Sequence, residues 1–204
     1  MREIGDGLRA VRGDRVLLAV SVHGAVSSFF QSVHLAIVIV FLARDVGLSP
    51  WAIGLLGTST LTGALTAGLT ARRIGDRIGG ARALWGAAVL YGLAYQLHPF
   101  TGRGWALACY VVAGFFASFG VIVLNVFGMS FQQSAAAPEL LGRVNSITHT
   151  LVFGAIPLGS LAGGALASAF GMRVTLHIAA AGVLASAAIL VCSPLRKLRD
   201  LVPG

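Results

Sequence analysis

Long apolar runs alternate along the chain with short polar stretches. Six runs stand out, over residues 16–43, 50–71, 80–98, 104–131, 144–169 and 172–192. A helix needs about 20 apolar residues to cross a bilayer, so the pattern predicts six transmembrane helices. The polar connections are short, which predicts one compact, all-α polytopic bundle over 16–192 and leaves no room for a soluble domain. Residues 1–15 read as an amphipathic segment, with Ile4, Leu8 and Val11 on one side and arginines on the other. Such a segment suits the surface of a membrane with anionic lipid. Residues 193–204 read as a short basic tail.

Within the runs, polar side chains recur at helical spacing. His23, Ser27, Gln31 and His34 fall on one face of the first span. Polar groups facing lipid are costly, so this face points into the bundle or a wet cavity. Two readings stand for it: a cavity lining, or hydrogen bonds between helices worth about 1 kcal/mol or less each. Thr58, Thr62, Thr66 and Thr70 form a second stripe, for which packing and bonding back to the helix's own carbonyls are both open. In the fourth span, Ser118 and Asn125 share a face and pose the same choice. The fifth span carries Gly154, Pro157, Gly159, Gly163 and Gly164. Small residues let helices approach closely, and proline removes a backbone donor. The expected role is packing, a hinge, or both.

Composition agrees with the membrane class: 56% of residues are hydrophobic and 11% charged, with a mean hydropathy of +0.85. The formal net charge of +8 would suit nucleic acid, but its placement explains it otherwise. With a cytoplasmic N-terminus, six spans put Arg2, Arg9, Arg12, Arg15, Arg72, Arg73, Arg77, Arg82, Arg143, Arg196, Lys197 and Arg199 inside. Only Arg44, Arg103 and Arg173 fall outside, so all 15 basic residues divide 12 to 3. Basic residues favour the cytoplasmic side, and both termini are expected there. Fourteen of the 15 are arginine, which suits a GC-rich bacterial genome and hence a bacterial inner membrane. No cleavable signal is apparent: the first run is too long, and no small-x-small site follows it. Cys109 and Cys192 lie in apolar runs and read as small buried hydrophobes, without a disulfide or metal pattern.

Nothing in the chain reads as catalytic. No span contains a carboxylate, and neither H-E-x-x-H nor G-x-S-x-G occurs. No glycine-rich strand–loop–helix for a nucleotide is present. The expectation is a protein that is not an enzyme, with no cofactor, no metal site and no nucleic-acid partner.

Between the second and third runs stands G-L-T-A-R-R-I-G-D-R-I-G-G-A-R-A-L, over residues 68–84. Its segment Asp76-Arg77-Ile78-Gly79-Gly80-Ala81-Arg82 resembles the loop signature of the major facilitator superfamily, roughly G-x-x-x-D-R-x-G-R-R. Arg72 replaces the leading glycine, and Gly80 and Ala81 replace basic residues. G-L-R-A-V-R-G-D-R-V-L, G-L-S-P-W-A-I-G-L-L, P-E-L-L-G-R-V-N-S, P-L-G-S-L-A-G-G and S-P-L-R-K-L-R follow in family order. Nearly all 204 residues thus resemble the C-terminal six-helix half of an exporter in the enterobactin-exporter and macrolide-efflux-like group. Residues 154–164 are similar to the family's glycine–proline antiporter motif with altered spacing, and His149 stands where the group often has arginine.

The resemblance implies a half-size exporter of small amphiphilic, drug-like or siderophore-like molecules, coupled to proton exchange. Full members join two six-span halves around a central site, and Met1 falls where the linker between halves would end. The implied partner is a second copy, as a homodimer, or another six-helix half; lipid and a small-molecule substrate complete the partners. The implied substrate pathway is His23, Ser27, Gln31, His34, Asn125 and His149, and the implied cytoplasmic gate is Asp76, Arg77, Arg82, Arg143 and Asn145. The Asp76 carboxylate would meet the start of the fifth span, around residues 143–145, in a partner chain. The rival expectation is a truncated or accessory membrane subunit without transport of its own.

Overall fold

A computed structural model describes residues 15–135 and 138–193. The amphipathic segment and basic tail expected at the two ends therefore lie almost wholly outside the described residues. Six α-helices account for nearly all of the rest: α1 Arg15–Arg44, α2 Pro50–Ile78, α3 Gly80–Tyr95, α4 Leu107–Ala135, α5 Pro138–Phe170 and α6 Met172–Val191. There is no strand among the described residues. Five helices are long and apolar enough to cross a membrane; α3 is the exception.

The third run departs from expectation. It was expected as a span over 80–98, but α3 stops at Tyr95 after 16 residues, about 24 Å at 1.5 Å per residue. Pro99 has no N–H to continue the ladder, and the chain tightens into a single 3-10 turn, His98–Phe100. Two other expected boundaries also move. The second helix does not end near residue 71 but continues to Ile78, and the fifth begins at Pro138 rather than 144. The stretch over 68–84 is thus not a loop: Arg72, Arg73, Asp76 and Arg77 ride on the end of α2. Its turn is Gly79 alone, at φ 86°, a conformation glycine adopts without steric cost. The Gly79 N–H donates to the Gly75 carbonyl at 2.9 Å. At the other end, Ser49 caps α2 by accepting from the Ala52 N–H at 3.4 Å, with Pro50 in the first helical turn.

The helices stand in an open arc in the order α5, α1, α6, α3, α4, α2. Close approach in this arc rests on small residues. A Cβ on Gly159 would run into the Phe29 carbonyl oxygen, and one on Gly163 would sit 2.8 Å from the Val33 carbonyl oxygen. The x-x-x spacing thus seats α5 on the α1 backbone. Gly63 meets the Phe115 carbonyl in the same way where α2 crosses α4. Gly154 and Gly164 face open space, and Pro157 lies on the exposed side of an α5 that continues through it. Large apolar side chains such as Leu61, Leu65 and Leu69 of α2 and Phe153, Leu158 and Leu161 of α5 are exposed. That surface suits hydrocarbon or another helix. Cys109 is half-buried, whereas Cys192 is exposed beyond α6, contrary to the buried reading.

Candidate functional site

A cleft of about 320 Å³ lies on the concave side of the arc, walled by α1, α4 and α5 and floored by Leu84 of α3 and Leu190 of α6. It occupies the half of the bundle nearer the α2–α3 turn. Spacing by four on α1 brings His23, Ser27 and Gln31 to this wall. Asn125 faces them from α4, and Asn145, Thr148 and His149 from α5. Val20, Val121, Leu124, Met129 and Val152 fill the remaining wall. A few polar groups set in an apolar lining suit an amphiphilic ligand of small-molecule size.

Each polar wall residue has a local reason for its place. The His23 Nδ1 lies 3.0 Å from the Ser186 carbonyl oxygen of α6. A carbonyl can only accept, so Nδ1 carries the proton. This bond ties α1 to α6 while the ring edges the cleft. The hydroxyls of Ser21 and Thr148 are 3.1 Å apart, buried between α1 and α5, at the side of the cleft. His149 is exposed and stacks on Phe153 one helical turn on, with ring centroids 5.6 Å apart and planes at 15°.

His34 belongs elsewhere. It is not among the residues lining the cleft; its ring is buried against Tyr95 of α3 at 5.0 Å and His98 at 4.5 Å. Three residues beyond Gln31, the α1 face has turned toward α3. The threonine stripe of α2 also resolves. Thr58, Thr62, Thr66 and Thr70 each donate to a carbonyl three or four residues earlier, at 2.6–2.9 Å. They satisfy themselves within α2. Ser118, half-buried, lies outside the cleft lining, whereas Asn125 is in it.

The gate residues do not converge within one chain. Asp76 and Arg77 are exposed in the last turn of α2, and Arg82 is exposed in the first turn of α3. Asn145 is exposed at the rim of the cleft on α5; the Arg143 side chain lies outside the described residues. The arc places α2 and α5 at opposite ends.

Sequence reasoning missed the Ser21–Thr148 pair and the aromatic cluster around His34. Tyr91 and Tyr95, spaced by four, were the available signal for the second.

The family described as transmembrane secretion effector matches residues 1–203. No curated protein matches the chain.

Proposed function

Because the chain belongs to the transmembrane secretion effector family, whose members are membrane transporters of the major facilitator type, we propose that it exports small amphiphilic molecules, drug-like or siderophore-like, through the cleft between α1, α4 and α5. The cleft carries this reading: imidazole, hydroxyl and amide groups set among Val, Leu and Met can orient a ligand with one polar end while accepting its apolar body. The proposed kinship within the family is with the enterobactin-exporter and macrolide-efflux-like members. Uptake of protons drives export. In the absence of carboxylates in the expected spans, the coupled proton resides on histidine, the side chain that changes charge near neutral pH.

In this reading all six helices cross a bacterial inner membrane, α3 included, with both chain ends in the cytoplasm. The cleft is walled on one side of the molecule, and α2 and α5 flank its open side with their apolar faces uncovered. A second six-helix body facing it would complete an alternating-access site. Two copies inserted in the same sense supply that body through a two-fold axis along the membrane normal; a different half does so equally. The one-sided cleft also favours a second reading, an accessory subunit that transports nothing by itself.

Reconstituted vesicles loaded with ethidium separate the two. Export driven by a pH gradient, and lost at least tenfold in Gln31→Leu, Asn125→Ala and His149→Ala, is the expected result. Mass measured in mild detergent should correspond to two chains. A strict monomer that moves no ethidium and recruits no second half would leave the accessory reading.

A further inference from the structure

A second polar assembly lies beyond the cleft, toward the α3–α4 turns. His34 of α1 is 4% exposed, Tyr91 and Tyr95 of α3 are 1% and 5%, and His98 of the following turn is 5%. Their rings are contiguous: Tyr91 to Tyr95 at 4.9 Å, Tyr95 to His34 at 5.0 Å, His34 to His98 at 4.5 Å, and His98 to Tyr110 of α4 at 5.3 Å. Packing alone does not account for so many polar atoms here. Both ring nitrogens of His34, Nδ1 of His98 and the Tyr91 hydroxyl are buried without a hydrogen-bond partner among the described residues. Buried polar atoms are ordinarily satisfied, and exceptions ask for a reason.

The cluster also has two ends. At one, Tyr91 and Tyr95 pack against Val121 and Leu124 of α4, and both of those residues line the cleft. At the other, His98 opens the turn that holds Thr101, whose Oγ1 is likewise unpartnered and whose carbonyl accepts from Arg173 at 3.3 Å. We infer that Tyr91, Tyr95, His34 and His98 form a proton relay between the cleft and the rim of the α3–α4 turns, separate from the groups that hold the substrate. This deepens the exporter reading, on which it rests for its purpose, by naming the residues that carry the coupled proton.

The chemistry balances at each group. An imidazole takes a proton on one nitrogen and releases another from its second nitrogen; a phenol does the same through its one oxygen. Ring centroids about 5 Å apart leave nitrogen and oxygen atoms within reach of each other by side-chain rotation, directly or through one water. No electron moves, and one positive charge is handed from rim to cleft. Around the cluster, α4 presents Tyr110 and Ala117, and α6 presents Ala180 and Val183, with Arg173 and His177 at the rim. At this level α5 presents Gly159 and Gly163. Between the cleft and the rim, no carboxylate among the described residues faces the pair to trap a proton midway.

The test measures proton flux apart from substrate transport. The full chain is reconstituted into vesicles holding pyranine, and a potassium diffusion potential set by valinomycin drives protons inward, with and without ethidium. Wild type is expected to acidify the lumen faster than protein-free vesicles. His98→Asn and His34→Gln should each cut that excess at least tenfold and Tyr95→Phe severalfold, while His177→Asn stays within twofold. Melting of each variant in detergent identifies one that merely misfolds; Tyr95→Phe and His98→Asn, which change least, then decide. Wild-type flux no greater than the protein-free level under both conditions overturns the relay, as does full flux in His98→Asn and His34→Gln. Ethidium movement without proton flux overturns the relay and leaves the exporter standing. Proton flux lost in His98→Asn, with no ethidium movement in wild type, supports the relay and counts against the exporter.

Discussion

At Gly159 and Gly163 the α5 helix comes so near the α1 backbone that a methyl group has nowhere to go. Backbone atoms cannot step aside as a flexible side chain can. Gly159→Val should therefore cost about 1–3 kcal/mol, the usual range for overpacking, read as a lower melting temperature in mild detergent. Gly164→Ala, five residues along the same helix and facing open space, is the control and should gain stability, since helix propensity and unfolded-chain entropy favour alanine by about 0.4–1 kcal/mol. Equal melting of both variants would remove the close-packing account. The sequence displayed the glycine spacing plainly. It did not reveal which of the five small or kinking positions touched a neighbour, because that depends on the rotation of α5 about its axis.

Helix ends decide the role of the charged stretch. Since α2 continues to Ile78, Asp76 is held on a rigid helical surface with Arg72, Arg73 and Arg77 around it. A carboxylate so displayed can approach the N-terminal turn of a facing helix, where free N–H groups and the helix dipole stabilise it by about 0.3–1 kcal/mol. In the two-copy arrangement that turn is the start of the partner's α5, which lies at Pro138 and not at residues 143–145 as expected. The latter sit inside the helix, where their N–H groups are already engaged. Arg72→Cys in one copy and Gly142→Cys in the other, exposed one turn into α5, on a background of Cys109→Ala and Cys192→Ala, should cross-link. Asp76→Asn is expected to lower the yield of the linked dimer. An unchanged yield would take Asp76 out of the gate.

For the molecule as a whole, the decisive question is how the short α3 sits. It packs between α4 and α6 along its length, and its two ends are the Gly79 turn and the His98 turn. If it crosses the membrane, Arg82→Cys and Gly102→Cys on the same cysteine-free background should react with an impermeant maleimide from opposite sides, Gly102→Cys from outside intact cells. Reaction of both from one side would reduce the span count to five and reverse the placement of every later helix. The 12-to-3 division of basic residues depends on the same answer.

Hydrophobic periodicity by itself determined the helical class, the number of helices and, within a few residues, where four of them begin and end. These are local properties: a run of apolar residues must satisfy its backbone internally when water is excluded. It also placed His23, Ser27 and Gln31 on a shared face, since a spacing of four is fixed by the helix itself. Partnership between helices was decided only by the tertiary structure. Ser21 meets Thr148 across 127 residues, and His34 leaves its apparent stripe to join His98. Such meetings depend on how far each helix is turned and how closely glycines let the backbones approach, and neither is written in the spacing of any one segment.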